Sequence, residues 1–345
     1  MRIIISIGLV IFSAFAITVS AQKNHKPINE NASRNARLLL NFLYEIKGKY
    51  ILSGHHNYAH NLNQYSDRAT AITGKVPALW GADFIPTEPE LRQNIVDEAI
   101  EKYKNGYVVT LMWHAGRPQD DPPYGWKESV QAEVSEQEWK DIITPGTDLH
   151  NEWLKDVDQI AVYLNQLKEA GVPVLWRPYH EMNGIWFWWG DKPGEEGFKK
   201  LWINLYERFT EHHQLNNLIW VWNANGPRDR INDEAYPYQD FFPGLDYVDV
   251  LATDVYHNDY KKTHHDHLLD LAEGKPIALG EIGEVPVTDR LVEQPEWVWF
   301  MIWSKWIDTH NTVERVQDLY NYSRTITKDE LKFKNGKYEI KETAN

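Results

Sequence analysis

Two glutamates a hundred positions apart each close a short apolar run. Glu181 ends 172-VPVLWRPYHE-181 and is followed by Trp186, Phe187, Trp188 and Trp189; Glu281 lies inside 276-PIALGEIGE-284. Carboxyl groups on separate strands, walled by tryptophan, are what the two-carboxylate cleavage of a sugar–sugar bond requires. The aromatic run should exclude water around Glu181 and favour its protonated form, the state needed to protonate a leaving oxygen. Glu281 is then expected to stay ionised and attack. Glu284 is the nearest rival, but it falls beyond the run, and Asp254 reads as a satisfied strand-end acid. His264, His265 and His267 open a helix as a solvated face without recognised ligand spacing, and His56 and His60 are read in the same way. His180-Glu181 is not a zinc-protease motif, because Asn183 and Gly184 stand where a second histidine would be needed. No metal and no cofactor is implied.

The elements that must carry these groups are eight apolar runs: Tyr50–Ser53, Val76–Trp80, Tyr107–Trp113, Val172–Arg177, Leu218–Asn223, Val248–Thr253, Pro276–Gly280 and Val298–Trp303. They lack alternation, as strands buried on both faces do. Amphipathic segments lie between most of them, at Glu90–Lys104, Leu149–Ala170, Glu195–His213 and Asp266–Glu273, with Asn29–Ile46 before the first and Val313–Ser323 after the last. Strand and helix alternating eight times predict an α/β fold, a single-domain (β/α)8 TIM barrel. No glycine-rich phosphate loop follows a strand, which disfavours a nucleotide-binding open sheet. Two crossovers are weak: Asn225–Asp246 reads as loop and Val285–Glu296 has little helical pattern. The Gly116–Gly146 insertion is too long for an ordinary connection and should shape a site.

Residues 1–21 read as a signal peptide: Arg2, then a mostly apolar Ile3–Val19, then small residues before Gln22. That leaves 22–345 as the catalytic domain and predicts a secreted or periplasmic protein. With no cysteine there is no disulfide framework and no lipidation anchor. A formal charge of −14 argues against nucleic acid or another polyanion. Sixteen tryptophans and 18 tyrosines suit stacking on sugar faces. A neutral β-linked polysaccharide or oligosaccharide is the expected partner, with no membrane attachment and a monomeric state.

The motifs 180-HEMNGIWFWWG-190, 279-LGEIG-283 and 112-MWHAGRP-118, in their order on strands four, seven and three, resemble glycoside hydrolase family 26. Most of its clan of retaining barrels has Asn-Glu at the end of strand four; this family has His-Glu, as here. The resemblance implies Glu181 as general acid/base and Glu281 as nucleophile, with His180 and Tyr256 hydrogen-bonded to the nucleophile or the adjoining sugar. It further implies His114 and Trp303 at the sugar on the non-reducing side of the cut, Trp186 on the leaving-group side and Trp126 closing the pocket. Arg177 and Asn223 would hold the carboxylates in position, while Trp297, Trp299 and Trp306 read as barrel packing. The implied activity is a retaining endo-β-1,4-mannanase on mannan, glucomannan or galactomannan. An endo-β-1,3-1,4-glucanase or β-1,3-xylanase of the same family is the alternative, and a non-catalytic carbohydrate-binding barrel is more remote. Only a few hydrogen bonds separate these substrates.

Overall fold

Strands without a polar face need cover on both sides, and this chain supplies it by closing its sheet. In the computed structural model, which describes residues 25–341, eight strands run in chain order: β1 (Ile51–His56), β2 (Leu79–Asp83), β3 (Val108–Trp113), β4 (Val174–Pro178), β5 (Leu218–Asn225), β6 (Val250–Val255), β7 (Ile277–Ile282) and β8 (Trp297–Ile302). Each pairs in parallel with the next, and β8 returns to β1. Every residue of all eight is buried. The predicted (β/α)8 TIM barrel is the observed fold. The leader expected over residues 1–21 lies outside the described residues.

The outer layer comprises α1 (Arg34–Ile46), α2 (Gln64–Thr73), α3 (Pro89–Lys104), α4 (Glu136–Ile143), α5 (Asp148–Glu169), α6 (Phe198–Glu207), α7 (Lys262–Ala272), α8 (Thr288–Glu293), α9 (Trp306–Thr309) and α10 (Val313–Asn321). Helix α2 is absent from the sequence reading because its buried positions are Tyr65, Ser66, Ala69 and Ile72, a stripe half built from small or polar residues. Strand β2 begins three residues after the expected Val76, since Pro77 has no N–H to enter a ladder. Helix α8 occupies part of the crossover where little helical pattern is visible. No described helix is long and apolar enough to cross a membrane.

Helix α7 starts four residues earlier than Asp266, and that overturns one expectation. His264 and His265 are buried, at 6% and 3% exposure, instead of forming a solvated face; only His267 is exposed. His264 Nε2 bonds the Pro227 carbonyl at 2.9 Å, and His265 Nδ1 bonds Asp266 at 2.9 Å, so the two rings turn to different partners.

The long insertion after β3 is held at several points. Arg117 grips Asp120 through two nitrogens, each at 2.9 Å, and Tyr124 donates to Asp156 on α5 at 2.6 Å. Helix α4 within it opens with a reciprocal Ser135–Glu138 cap, an arrangement worth about 1 kcal/mol. The Trp188 indole donates to Ala115 O at 2.9 Å, and its backbone N–H to Val130 O at 3.2 Å, tying the segment after β4 to the start and the middle of the insertion.

Candidate active site

The carboxyl ends of the strands converge on one cleft. His114, Trp126, His180, Glu181, Trp186, Tyr256, Glu281 and Trp303 all line a single 260 Å3 cavity. A neighbouring cavity of 410 Å3 shares His114, Trp126 and Trp303 and continues past Tyr58, Asp83 and Lys305, so the cleft runs on toward β1 and β2. A separate 630 Å3 cavity bordered by Asn29, Tyr206 and Gln214 contains none of these groups.

Glu181 sits on a turn held in an unfavourable backbone conformation. Beyond Pro178, Tyr179 and Glu181 have φ of 48° and 55°, left-handed values that cost a non-glycine residue roughly 1–3 kcal/mol each. Neighbouring groups hold the turn in place. Glu181 N–H bonds Asn223 O at 2.7 Å, and Trp189 donates to His180 O at 2.9 Å. The Asn183 amide donates to Asn225 O and Tyr236 O, each at 2.8 Å, while its oxygen accepts from Asn225 N–H at 2.7 Å. A Cβ on Gly184 would overlap the Trp186 ring, so glycine there lets the indole fold back over the turn. Trp186 Nε1 then donates to Glu181 Oε2 at 2.7 Å, and the Asn225 amide donates to Oε1. Burial, and next the charge of Glu281, push the Glu181 pKa up to about 7.

Glu281 lies at the end of β7, 2% exposed, with Oε2 accepting from the Tyr256 hydroxyl at 2.7 Å. Arg177 Nη1 and His180 Nε2 both stand 3.6 Å from Oε1. The hydrogen bond expected from His180 is therefore not formed, whereas that from Tyr256 is. Burial raises the Glu281 pKa; the Arg177 guanidinium and the Tyr256 hydroxyl oppose that rise by favouring its charge. His180 is kept neutral, its pKa well below the usual value through burial and the adjacent His114. A Cβ at Gly280 would collide with Asn223 Oδ1, whose partner is Arg177 Nη1 at 2.9 Å, so that glycine makes room for the polar floor.

Asp254 departs from the sequence reading. The β6–β7 register shifts between Thr253 and Asp254, which sets Asp254 opposite Glu281. Its carboxyl is fully buried, and among the described residues neither oxygen has a partner in hydrogen-bond geometry, the nearby Asn223 amide only weakly favouring its charge. It is not a satisfied acid. Burial, then repulsion from Glu281 and Glu181, hold its pKa well above the carboxylate range, so it remains neutral beneath the pair. One atom each of His180, Asp254 and Glu281 lies within 4.8 Å of the others, a spacing able to bracket a cation. The Arg177 guanidinium already brings positive charge to that corner.

On the far wall, His114 Nδ1 meets Asp83 Oδ2 at 2.6 Å, and its backbone N–H bonds Oδ1 at 3.1 Å. Burial works against the charge on Asp83, but His114 holds its pKa below the usual range. His56 stacks behind Trp303 at 4.2 Å, and Trp126 stands 5.0 Å from the His114 ring.

The tryptophans divide sharply. Twelve are buried; the other four, Trp126, Trp186, Trp303 and Trp306, all line the cleft. Trp306 was expected to be barrel packing and instead stands 5.0 Å from the Tyr256 ring at the cleft wall. Conversely, Trp188 and Trp189 do not wall the acid: both are buried and serve as anchors through their indole N–H groups. Phe187, Arg228, Asp233 and His257 also border the cavity. Phe187 belongs to the aromatic run after Glu181, but nothing in the spacing of the other three marks them, because they come from loops after β5 and β6 whose paths are set by tertiary contacts.

A barrel whose strand ends gather two buried glutamates in unequal surroundings and four accessible indoles defines a glycosidase-type site. The sequence profile of glycosyl hydrolase family 26 matches residues 28–330. The chain belongs to that family and is a glycoside hydrolase. It is similar to a mannan endo-1,4-beta-mannosidase of Thermothelomyces thermophilus, 34% identical over 94% of this chain and 68% of that protein. Among solved structures it resembles GH26A from Muricauda sp. MAR_2010_75, with 56% identity, a TM-score of 0.86, and coverage of 88% of this chain and 100% of the other. It also resembles a beta-mannanase from a symbiotic protist of the termite Reticulitermes speratus, complexed with gluco-manno-oligosaccharide. That match has 28% identity and a TM-score of 0.76, covering 88% of this chain and 96% of the other.

Proposed function

We propose that the protein is a secreted endo-β-1,4-mannanase that cleaves mannan, glucomannan or galactomannan with retention of anomeric configuration. The observation that carries the mechanism is the unequal environment of two glutamates in one cleft: Glu181 keeps its proton up to about pH 7, and Glu281 is bonded by Tyr256 and faced by Arg177. In the first step Glu281 attacks the anomeric carbon while Glu181 gives its proton to the departing oxygen, leaving a glycosyl-enzyme ester. In the second step Glu181, now ionised, takes a proton from water, and the oxygen of that water displaces Glu281. His114 and Trp303 hold the sugar that becomes esterified, with Trp126 above it, and Trp186 packs on the leaving-group side. His180, neutral, borders the same sugar. Mannan as substrate is supported by the relatives named mannan endo-1,4-beta-mannosidase.

The test is a product profile on mannan, glucomannan, barley β-glucan and β-1,3-xylan, with the first anomer released followed by proton NMR. Manno-oligosaccharides appearing first as the β-anomer are expected; faster cleavage of barley β-glucan or β-1,3-xylan, or initial α-anomer, overturns the reading. Glu181→Ala should lose about 100-fold or more on polymer. We also propose removal of residues 1–21 on export and a monomeric enzyme, based on Arg2, the apolar Ile3–Val19 and the small residues before Gln22 for the first point. A mature N-terminus at Gln22 and a monomer mass by light scattering are the expected results.

A further inference from the structure

Both oxygens of Glu181 are held by side chains, Asn225 on one and Trp186 on the other. One group secures both holders. Arg228 Nη1 donates to Asn225 Oδ1, which turns the Asn225 amide hydrogens toward Glu181. The same guanidinium lies over the Trp186 indole, its Cζ 5.0 Å from the ring centroid, a separation at which a cation is drawn to the ring face. It is 11% exposed as a side chain and lines the same cavity as the two glutamates.

Arg228 is itself fixed. Asp233 takes Nε at 3.0 Å and Nη2 at 2.5 Å in a forked ion pair. Its backbone exchanges both hydrogen bonds with Ala235, at 2.8 and 2.9 Å, and Ala235 also bridges to Gly184 on the Glu181 turn. From the other side, buried His264 bonds the Pro227 carbonyl at 2.9 Å. The loop after β5 thus delivers one planar cation, in a set orientation, against both partners of the acid.

We propose that Arg228 is the positioning residue of the proton donor: by gripping Asn225 and covering Trp186 it sets the orientation of the Glu181 carboxyl toward the leaving oxygen. This rests on the reading of Glu181 as general acid. Arg228 transfers no proton itself; it acts through the two donors. Lysine is not equivalent, because a single ammonium cannot bond Asn225, lie flat on an indole and pair through a fork with Asp233.

Charge offers a readout that loss of fold would not imitate. The groups facing Glu181 are Glu281 on β7, Asp254 on β6, Tyr256 just past its end, and Arg228 on its loop, with Asp233 behind Arg228. Arg228, Asn225 and Trp186 each favour the ionised acid. Removing the guanidinium should move the alkaline limb of kcat/KM to higher pH. A merely loosened, hydrated site would move it to lower pH.

The experiment compares Arg228→Met, Arg228→Lys, Glu181→Ala and the unaltered enzyme on two substrates, mannan and 2,4-dinitrophenyl β-mannobioside, whose leaving group needs no proton. Arg228→Met is expected to lose on the order of tenfold or more in kcat/KM on mannan. It should form the glycosyl-enzyme from the dinitrophenyl substrate within about twofold of the unaltered rate, and its alkaline limb should rise. Arg228→Lys, which keeps the charge and guards against a misfolded methionine variant, should show the same substrate pattern with a smaller loss. Equal losses on both substrates, or an alkaline limb of Arg228→Met that stays or falls, overturn the proposal. Glu181→Ala separates the two readings: if it too shows no dependence on leaving group, the acid assignment fails. If it shows that dependence and the Arg228 variants do not, only the role of Arg228 fails.

Discussion

Tyr256 donates its hydroxyl hydrogen to Oε2 of Glu281 at 2.7 Å, and it is the one hydrogen bond made to that carboxyl among the described residues. Burial and the surrounding carboxyls keep the phenol pKa well above its usual value, so the bond runs in one direction only. Tyr256→Phe should cost about 1.5–3 kcal/mol of transition-state stabilisation, roughly tenfold to a hundredfold in kcat. The bond favours the ionised form of Glu281, so removing it should also raise the acid limb of kcat/KM. Steady-state kinetics across pH 3–7 check both; an unmoved acid limb would show that Tyr256 serves only the sugar.

The two glutamates titrate as a pair. The charge on Glu281 is the second cause of the raised Glu181 pKa. In Glu281→Gln that repulsion is gone, and the Glu181 pKa should fall below about 7. Carbon-13 NMR of labelled side-chain carboxyls reads the shift directly. A value that stays put would mean that burial alone sets it.

A raised carboxyl pKa also carries a stability signature. The native state retains the Glu181 proton up to about 7, whereas a free glutamate releases it near 4.5. Relative to a residue that does not titrate, Glu181 therefore loses stability as pH rises between those values, by roughly 3 kcal/mol in all. Glu181→Gln should melt several degrees above the parent at pH 8 and show no such advantage at pH 4. Calorimetry at the two pH values decides it; a constant offset contradicts the assignment.

Asp83 is the only hydrogen-bond partner of the His114 ring among the described residues. Asp83→Asn replaces an accepting oxygen by an amide or leaves a neutral acceptor, and either change frees the ring to turn. A loss of about tenfold in kcat/KM on mannopentaose is expected, with the melting temperature little changed. Unaltered kinetics would remove Asp83 from the site.

Much of the barrel is visible in the sequence because strands buried on both faces leave a plain mark: continuous apolar runs ending in a polar or aromatic group. Glu181, Glu281, His114 and Tyr256 are found by standing at those ends. Side-chain direction is not visible in the same way. Trp186, Trp188 and Trp189 are identical in type and nearly adjacent, yet the turn around Tyr179 and Glu181 sends the first to the acid and the others into the interior. Asp254 looks like any acid at a strand end until a register shift places it opposite Glu281. Arg228 has no signature at all: its position depends on Asp233, Ala235 and a histidine from α7, contacts that span the third dimension.

The bridge through Gly184, Ala235 and Arg228 has a further consequence for engineering. In most barrels a surface loop can be exchanged to broaden what the enzyme accepts while the chemistry below is left alone. Here the segment between residues 226 and 236 both borders the cleft and braces the turn that presents Glu181. A graft that widened the opening would at the same stroke detune turnover, so new specificities are better sought on the β1 and β2 side, where the wall meets neither glutamate.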